Sequence, residues 1–405
     1  MQTTGFVPRS QSPEPLVDER PSIVDKREQN NKPNTLDDLS RDVYGVLGLP
    51  VDAVEIATVV RNIEEASRER ASYLVSTPNL NFLITGWKDR EFRRSLLLSD
   101  LCPVDGVPIV LIARLLGVPI KQRVAGSDIF DALKTVKQGS SPPVKVFLFG
   151  GPDGVAQAAS VALNAAAGGL VCVGACYPGY CTLEELSTPE IIETINSSGA
   201  DFLVISLGAQ KGQAWLLHNH SKLRIPVRSH LGAAINFQGG TLRRAPLLVR
   251  KLGLEWLWRI KEEPHLWRRY WNDGSILMTL MVARVLPLAL MARRHRRAFD
   301  RNGNFELEVS ASDEGSTLKI GGIATVHNVE KAIALARMVL SEDNDVTIDL
   351  SSVEFIDARF FGLFLMIWKQ LDERGLRLRF AGVLPNMKKV FWLNGFEFLL
   401  ADSLL

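Results

Sequence analysis

The stretch VKVFLFGGPDGVAQAASVALNAAA, residues 144–167, decides the class of the larger part of this chain. It opens with an apolar run rich in Val and Phe, breaks at Gly150, Gly151 and Gly154, and continues as an Ala-rich helical pattern. A continuous apolar run closed by glycines reads as a strand buried on both faces, and strand, turn and helix in succession are the unit of a parallel sheet. The same alternation extends outward through YLVST (73–77), PIVLIA (108–113), LVCVGA (170–175), DFLVISLG (201–208) and PVRSHLGAAI (226–235). Six strands flanked by helices are therefore expected, an α/β fold with a Rossmann-like parallel sheet. From about residue 304 the pattern restarts as a smaller α/β unit, with strands in VTIDLSSVEFID (346–357) and LRLRFAGV (376–383) around a helix in ARFFGLFLMIWKQLDERG (358–375).

Composition sets the outer bounds. At 405 residues with 46% hydrophobic content the chain is long enough for more than one core. Forty-seven basic against 45 acidic residues leave a net charge of +2, so nucleic acid is not an expected partner. The four cysteines, Cys102, Cys172, Cys176 and Cys181, lack the paired spacing of a zinc site and read as reduced thiols. Residues 1–40 are rich in Pro and charge, with Phe6 their one aromatic, and are expected to be a disordered tail. No secretory signal is read at the N-terminus. The expected organisation is a larger α/β domain over 41–274, an apolar and then basic connector over 275–303, and the second unit over 304–405.

In a parallel sheet, chemistry collects where strands end and helices begin. Gly150 and Gly151 allow a phosphate to approach the backbone there, although a structural turn would look the same. Lys211 stands beside the Gly208 turn, and Arg123 precedes a helix that Ser127 or Asp128 would cap. Together these suit a diphosphate. Thr77 and Asn79 occupy another strand end, and Asp105 sits in a Pro and Gly turn beside a very apolar run, either as a plain turn residue or as a base.

Residues from about 70 to 270 resemble the bacterial WecG/TagA/CpsF glycosyltransferases. The resemblance is carried by Thr77-Pro-Asn79, Asp105-Gly106, Arg123-Val-Ala-Gly126-Ser-Asp128, Gly150-Gly151, Gly208-Ala-Gln-Lys211, Gly232-Ala233, Arg244-Ala-Pro246 and Gly253-Leu-Glu255-Trp256-Leu-Trp-Arg259. It implies transfer of a sugar from a UDP-sugar to a hydroxyl of an undecaprenyl-diphosphate-linked saccharide, in bacterial surface or exopolysaccharide synthesis at the cytoplasmic membrane face. Asp105 would be the base, and Thr77 and Asn79 would orient substrate. Arg123, Gly126, Asp128, Gly150, Gly151, Gly208, Lys211 and Asn236 would hold the nucleotide sugar. Two departures stand out: Gln210-Lys211-Gly212-Gln213 replaces the family's Pro-Lys-Gln-Glu, and Asn236 replaces an Asp. Either the donor differs from the family's N-acetylmannosamine type, or activity is reduced. A non-catalytic nucleotide-sugar scaffold or sensor is the rival reading. The one Asp-x-Asp triplet, Asp343-Asn-Asp345, reads as a turn, so an inverting transfer without metal or cofactor is expected.

Three of the eight tryptophans lie in GLEWLWRIKEEPHLWRRY (253–270), where Arg259, Arg268 and Arg269 would meet donor or acceptor diphosphate. Trp256 and Leu257 are either core or membrane-facing. The apolar segment 276–292 contains Arg284 and Pro287 and falls short of a clean spanning helix. It is expected to lie in the membrane interface, with Arg293, Arg294, Arg296 and Arg297 facing anionic lipid. Burial against the neighbouring domain or in a homo-oligomer is the alternative.

The C-terminal unit resembles a STAS domain on Asp349-Leu-Ser, Phe355-Ile-Asp357, Gly362, Gly375 and Gly382. Ala358, Arg359 and Phe360 stand where phosphorylated members carry Ser, which implies a docking or dimerising module. Phe360, Phe361, Phe364 and Trp368 are divided between core and interface.

Overall fold

The computed structural model describes residues 37–136, 142–166, 168–251, 253–302, 304–312 and 315–401. The tail expected over 1–40 lies, for 1–36, outside them. Residues 37–40 are folded: Asp37 accepts from the Leu39 amide at 3.0 Å and starts a 3-10 turn over Asp38–Ser40.

A hairpin of β1 (Val43–Val46) and β2 (Leu49–Asp52) precedes α1 (Ile56–Glu69) and β3 (Tyr73–Val75). Four helices follow, α2 (Leu80–Lys88), α3 (Arg90–Leu97), α4 (Val107–Leu115) and α5 (Gly126–Thr135). Strands and helices then alternate: β4 (Val144–Gly150), α6 (Val155–Ala165), β5 (Leu170–Cys176), α7 (Pro189–Ser197), β6 (Phe202–Ser206), α8 (Ala209–His218), β7 (Val227–His230) and α9 (Ala234–Gln238). The five strands β3 to β7 form one parallel sheet in the order β3-β7-β6-β4-β5. From β4 the chain runs outward to β5 and then returns to β6 on the other side of β4. The crevice at a sheet's carboxyl edge opens at such a reversal, here between Gly150-Gly151 and the turn after Ser206.

PIVLIA, expected as a strand, is helical in α4. Gly106 caps this helix with φ 103°, and Pro108 fits its first turn. Buried Ile109, Val110, Ile112 and Ala113 face inward, while Val107, Leu111 and Leu115 recur every fourth residue on the exposed side. An unbroken apolar run carries no period of its own, so only the cap and the proline could have identified it.

Beyond β7 come the short α10 (Leu247–Lys251), then α11 (Glu255–Glu262), α12 (Trp267–Leu280), a π-turn over Met281–Val285 and α13 (Leu286–Asn302). Between Pro264 and His295 the helix is continuous for 32 residues, long and apolar enough by composition to cross a membrane, which corrects the expectation that it is too short. Its inner side is packed against the protein: Leu280, Val285, Leu288 and Ala292 are buried. Arg284 lies 4.4 Å from the Trp87 ring and 4.3 Å from that of Trp392, and its Nη1 donates to the Trp392 carbonyl. Arg293 and Arg294 are exposed. The side chains of Arg296 and Arg297 lie outside the described part.

The C-terminal unit is a four-stranded sheet in the order β11-β10-β9-β8, built from β8 (Phe305–Ser312), β9 (Gly315–Ala324), β10 (Val346–Ile356) and β11 (Leu378–Ala381). Strands β9, β10 and β11 are parallel, and β8 is antiparallel to β9. Helices α14 (Val329–Ser341), α15 (Ala358–Asp372), α16 (Pro385–Asn394) and α17 (Glu397–Ala401) complete it. Phe360, Phe361 and Phe364 are buried in a core that also contains Leu39, Val43 and Leu97 from the first half, and Trp368 packs at its edge. Asp345 of the Asp-x-Asp triplet accepts from the Arg377 amide at 2.9 Å and from Arg379 at 2.7 Å.

Candidate active site

At the end of β3 the chain passes through buried Ser76 and Thr77 to Asn79, which caps α2 by accepting from the Phe82 amide at 3.1 Å. The Asp105 amide donates to the Pro78 carbonyl at 2.9 Å. A Cβ built on Gly106 would lie 3.7 Å from the Asn79 Cβ, so the two segments run side by side. Thr77, Asn79 and Asp105 thus share one strand end.

Burial pushes the Asp105 carboxyl up to about 7; Arg123 pulls against this shift, whereas Glu255 and Asp128 add to it. The surroundings explain the direction. Arg123 gives Nη1 to Glu255 at 2.6 Å and Nη2 to Asp128 at 3.2 Å. Asp128 also receives Arg244 and lies 3.6 Å from Arg250, while Arg244 bonds Asp131 and, at 2.8 Å, the Ser127 hydroxyl. Three guanidinium groups already face Asp128, Asp131 and Glu255. An ionised Asp105 is one negative charge in excess. Arg123 itself loses solvent on burial, but Asp105 and its two partners hold its affinity for the proton above the usual value.

Asp128 does contribute to the start of α5, where its carboxylate accepts from the Ala125 amide at 3.4 Å. Gly126 meets the protein: a Cβ there would stand 3.0 Å from Leu231. Gly150 is likewise required by packing, since a Cβ would come within 2.6 Å of the Ser206 carbonyl. Gly151 faces Asn236, whose Oδ1 is buried without a hydrogen-bond partner among the described residues and would lie 3.8 Å from a Cβ at 151. Gly208, with φ 81°, caps α8 and looks into open space. These turns flank the crevice at the β4–β6 reversal.

Lys211 is not part of the Arg123 cluster. Its ammonium donates to the Cys181 carbonyl, thirty residues away in sequence, a partner that local reading of a glycine turn could not reveal. The departures at 212 and 213 acquire a physical account. A Cβ at Gly212 would stand 2.3 Å from the His230 ring, so the imidazole fills the space beside that glycine. His230 is buried, burial pushes it down to about 4, and its Nε2 has no partner among the described residues. Gln213, fully buried, donates to the Ser76 hydroxyl at 3.1 Å.

The three arginines of the tryptophan-rich segment separate. Arg259 forms an ion pair with Glu263 at 2.5 Å and shares the Phe237 ring with Arg244, at 6.0 and 5.9 Å. Arg268 and Arg269 are exposed on α12 beside Trp267 and Tyr270. Arg269 lines a cleft of about 650 Å³ between α2 and α12 with Asn81, Thr85, Gln210, Asn272 and Asp273. Trp256 and Leu257 are 44% and 46% exposed, which removes the core reading for that pair. Glu255, Arg244 and Arg250 were not singled out as site residues from sequence. For Arg244 and Glu255 the signal was the runs RAP and GLEW, but not the ion pairs they make; Arg250 lies between the two runs and carried none. Replacing Arg244 by Ala is expected to leave Asp128 and Asp131 underpaired and to lower stability by about 2 kcal/mol, measured by denaturant unfolding; a loss under 0.5 kcal/mol would mean the cluster is not cooperative.

Among the described residues, no group of three or more His, Cys, Asp or Glu side chains is placed to hold a metal ion. Comparison with known proteins matches residues 307–401 to the model described as Mlab, STAS domain. A solved structure of the Bacillus cell fate determinant SpoIIAA in the phosphorylated form matches at 22% identity, covering 24% of this chain and 88% of that one, with a TM-score of 0.21. An N-acetylglucosaminyldiphosphoundecaprenol N-acetyl-beta-D-mannosaminyltransferase of Staphylococcus aureus strain MW2 is 23% identical over 233 residues, 57% of this chain and 88% of the relative. The counterpart in strain MRSA252 is 24% identical over the same coverage. Residues 44–289 match the family model itself, more than half of the chain, and with the strand-end geometry above the chain belongs to the glycosyl transferase WecG/TagA/CpsF family.

Proposed function

We propose that this glycosyltransferase moves a sugar from a UDP-linked donor to a hydroxyl of an undecaprenyl-diphosphate-linked saccharide, with Asp105 as the base. The observation that carries the reading is the Asp105 carboxyl, half-buried beside Arg123 and pushed up to about 7. A base is most effective when its proton affinity matches the working pH. In the step, Asp105 takes the proton of the acceptor hydroxyl as that oxygen bonds to the sugar's anomeric carbon. The bond from that carbon to the diphosphate breaks and UDP leaves with its electron pair. One displacement of this kind inverts the anomeric centre. Thr77 and the Asn79 amide would orient the reacting groups. The glycine turns at Gly150-Gly151 and Gly208, with Arg123, Arg244 and Arg259, would meet the growing charge without a metal. The acceptor named for the Staphylococcus relatives supports a lipid-linked substrate here.

Purified protein given a lipid-linked acceptor and a panel of UDP-sugars is expected to release UDP. If none is turned over while UDP still binds, the rival reading, a nucleotide-sugar-binding scaffold, replaces the enzyme. That reading draws on Lys211 and Gln213 being held in internal bonds.

The acceptor's lipid calls for a membrane-facing surface on the cytoplasmic side. Trp267, Trp271, Met278, Val282, Leu286 and Leu290 form an exposed stripe along α12 and α13. Packing of the opposite side against the protein favours a helix lying in the interface over one that crosses. Replacing Trp271, Met278, Val282 and Leu290 by Ser is expected to shift the protein from the floated fraction to the bottom with vesicles containing anionic lipid. Unchanged flotation of the folded variant would remove this surface from the account.

A further inference from the structure

We propose that the C-terminal unit is a built-in positioning subunit, which through Lys369, together with Arg41 of the first half, fixes the segment 99–105 that carries Asp105. The inference rests on the reading above only for the role of Asp105. Lys369, on α15, is 1% exposed, and its ammonium bonds Asp38 at 3.0 Å and Asp100 at 2.5 Å. A buried ammonium persists only when paired in this way, and these two carboxylates hold its proton in spite of burial.

Asp100 does more than neutralise Lys369. Its other carboxylate oxygen accepts from the Leu74 amide at 2.7 Å, and its own amide donates to the Leu74 carbonyl at 2.8 Å. The Ser76 amide donates to the Leu101 carbonyl at 2.9 Å. Residues 100–101 therefore close the outer edge of β3, the terminal strand of the catalytic sheet. Arg41 grips the same segment from the hairpin. It bonds Asp52 at 2.8 Å, Asp38 at 2.7 Å and the Ser99 carbonyl at 3.1 Å, and Asp52 in turn receives the Cys102 amide at 2.5 Å. Three residues farther on stands Asp105, facing the end of β3.

The face of α15 near its N-terminus is correspondingly occupied. Arg359, 4% exposed, donates to the Val43 carbonyl at 3.0 Å. This face is turned inward to the first half of the chain.

Hydrogen exchange on the full chain tests the idea without requiring turnover. In Lys369→Met, peptides covering 73–79 and 99–106 are expected to exchange at least tenfold faster, while those of β4 and β6 keep the wild-type rate. Arg379→Ala breaks the Asp345 ion pair inside the C-terminal unit and is expected to leave 73–79 and 99–106 unchanged. Should Lys369→Met not fold, Asp38→Asn weakens the same cluster and is expected to give the same footprint. Where turnover is measured, kcat falls about tenfold with donor KM unchanged, and an inactive wild type leaves the exchange result standing. Acceleration confined to 346–372, or spread evenly over both halves, would overturn the proposal, because either pattern marks Lys369 as a stability element alone.

Discussion

Replacing Asp105 by Asn is expected to lower turnover by roughly 10²- to 10⁴-fold and, above neutral pH, to make the protein more stable. The two effects share one cause. Burial and the neighbouring carboxylates raise the Asp105 carboxyl from 3.8 to about 7. The folded state therefore holds this proton more tightly than the unfolded chain, and stability falls as pH rises from about 4 through about 7. Above that range the ionised carboxylate costs up to about 4 kcal/mol, an upper bound from the size of the shift. An amide cannot ionise and escapes the cost. The Asn variant should match wild type near pH 3 in denaturant unfolding and exceed it at pH 8. In the wild type, kcat/KM for UDP release should climb about tenfold per pH unit below 7 and level off above, and that limb should vanish in the variant. An Asn variant that keeps both the rate and the limb would assign the base elsewhere; one that is inactive without any gain at pH 8 would show that the carboxyl is not strained in the fold.

How much of this was legible in the sequence varies with how local the cause is. Strands β4 to β7 were readable because each is a short apolar run stopped by Gly or a polar turn. Strand β3 is bounded less sharply but carries Thr77 and Asn79 at its end, and it was found. The β1–β2 hairpin was not found: Val43–Asp52 has no alternation, and Leu47 at its turn adopts φ 49° without being glycine. What holds it is α15, more than three hundred residues later. Asp38 went unread for the same reason, since Lys369 and Arg41 neutralise it only in the fold. Within the candidate site, Asp105 and Arg123 could be singled out from sequence because an acid in a greasy turn and a base before a helix are local patterns. The contact of Lys211 was not legible, because its partner is a backbone carbonyl, which no side-chain pattern records. His230 could have been suspected from Gly212, since a missing side chain beside a sheet edge leaves room that something must fill.

Gly362→Ala is expected to destabilise the chain by about 3 kcal/mol or more, and here the sign matters more than the size. Gly362 lies inside α15, where glycine is the poorer helix former by roughly 1 kcal/mol relative to alanine. In an isolated C-terminal unit the substitution should therefore stabilise. The hairpin reverses that expectation. A Cβ at 362 would stand 1.9 Å from the Val43 carbonyl oxygen and 2.9 Å from the Tyr44 nitrogen, both backbone atoms that cannot swing aside. The opposing residue is matched: a Cβ on Gly45 would meet Phe361 at 2.5 Å. Two glycines on facing elements thus let β1 lie directly on α15, the contact that seats Asp38 and Arg41 beside Lys369. Gly375, at φ 73° with open space around it, provides the comparison. Its Ala variant bears only backbone strain, about 1 kcal/mol. Thermal unfolding of the two variants separates the cases: Gly362→Ala should melt well below Gly375→Ala. If it instead melts above wild type, the hairpin does not rest on α15 in solution, and the route from the C-terminal unit to Asp105 is lost with it.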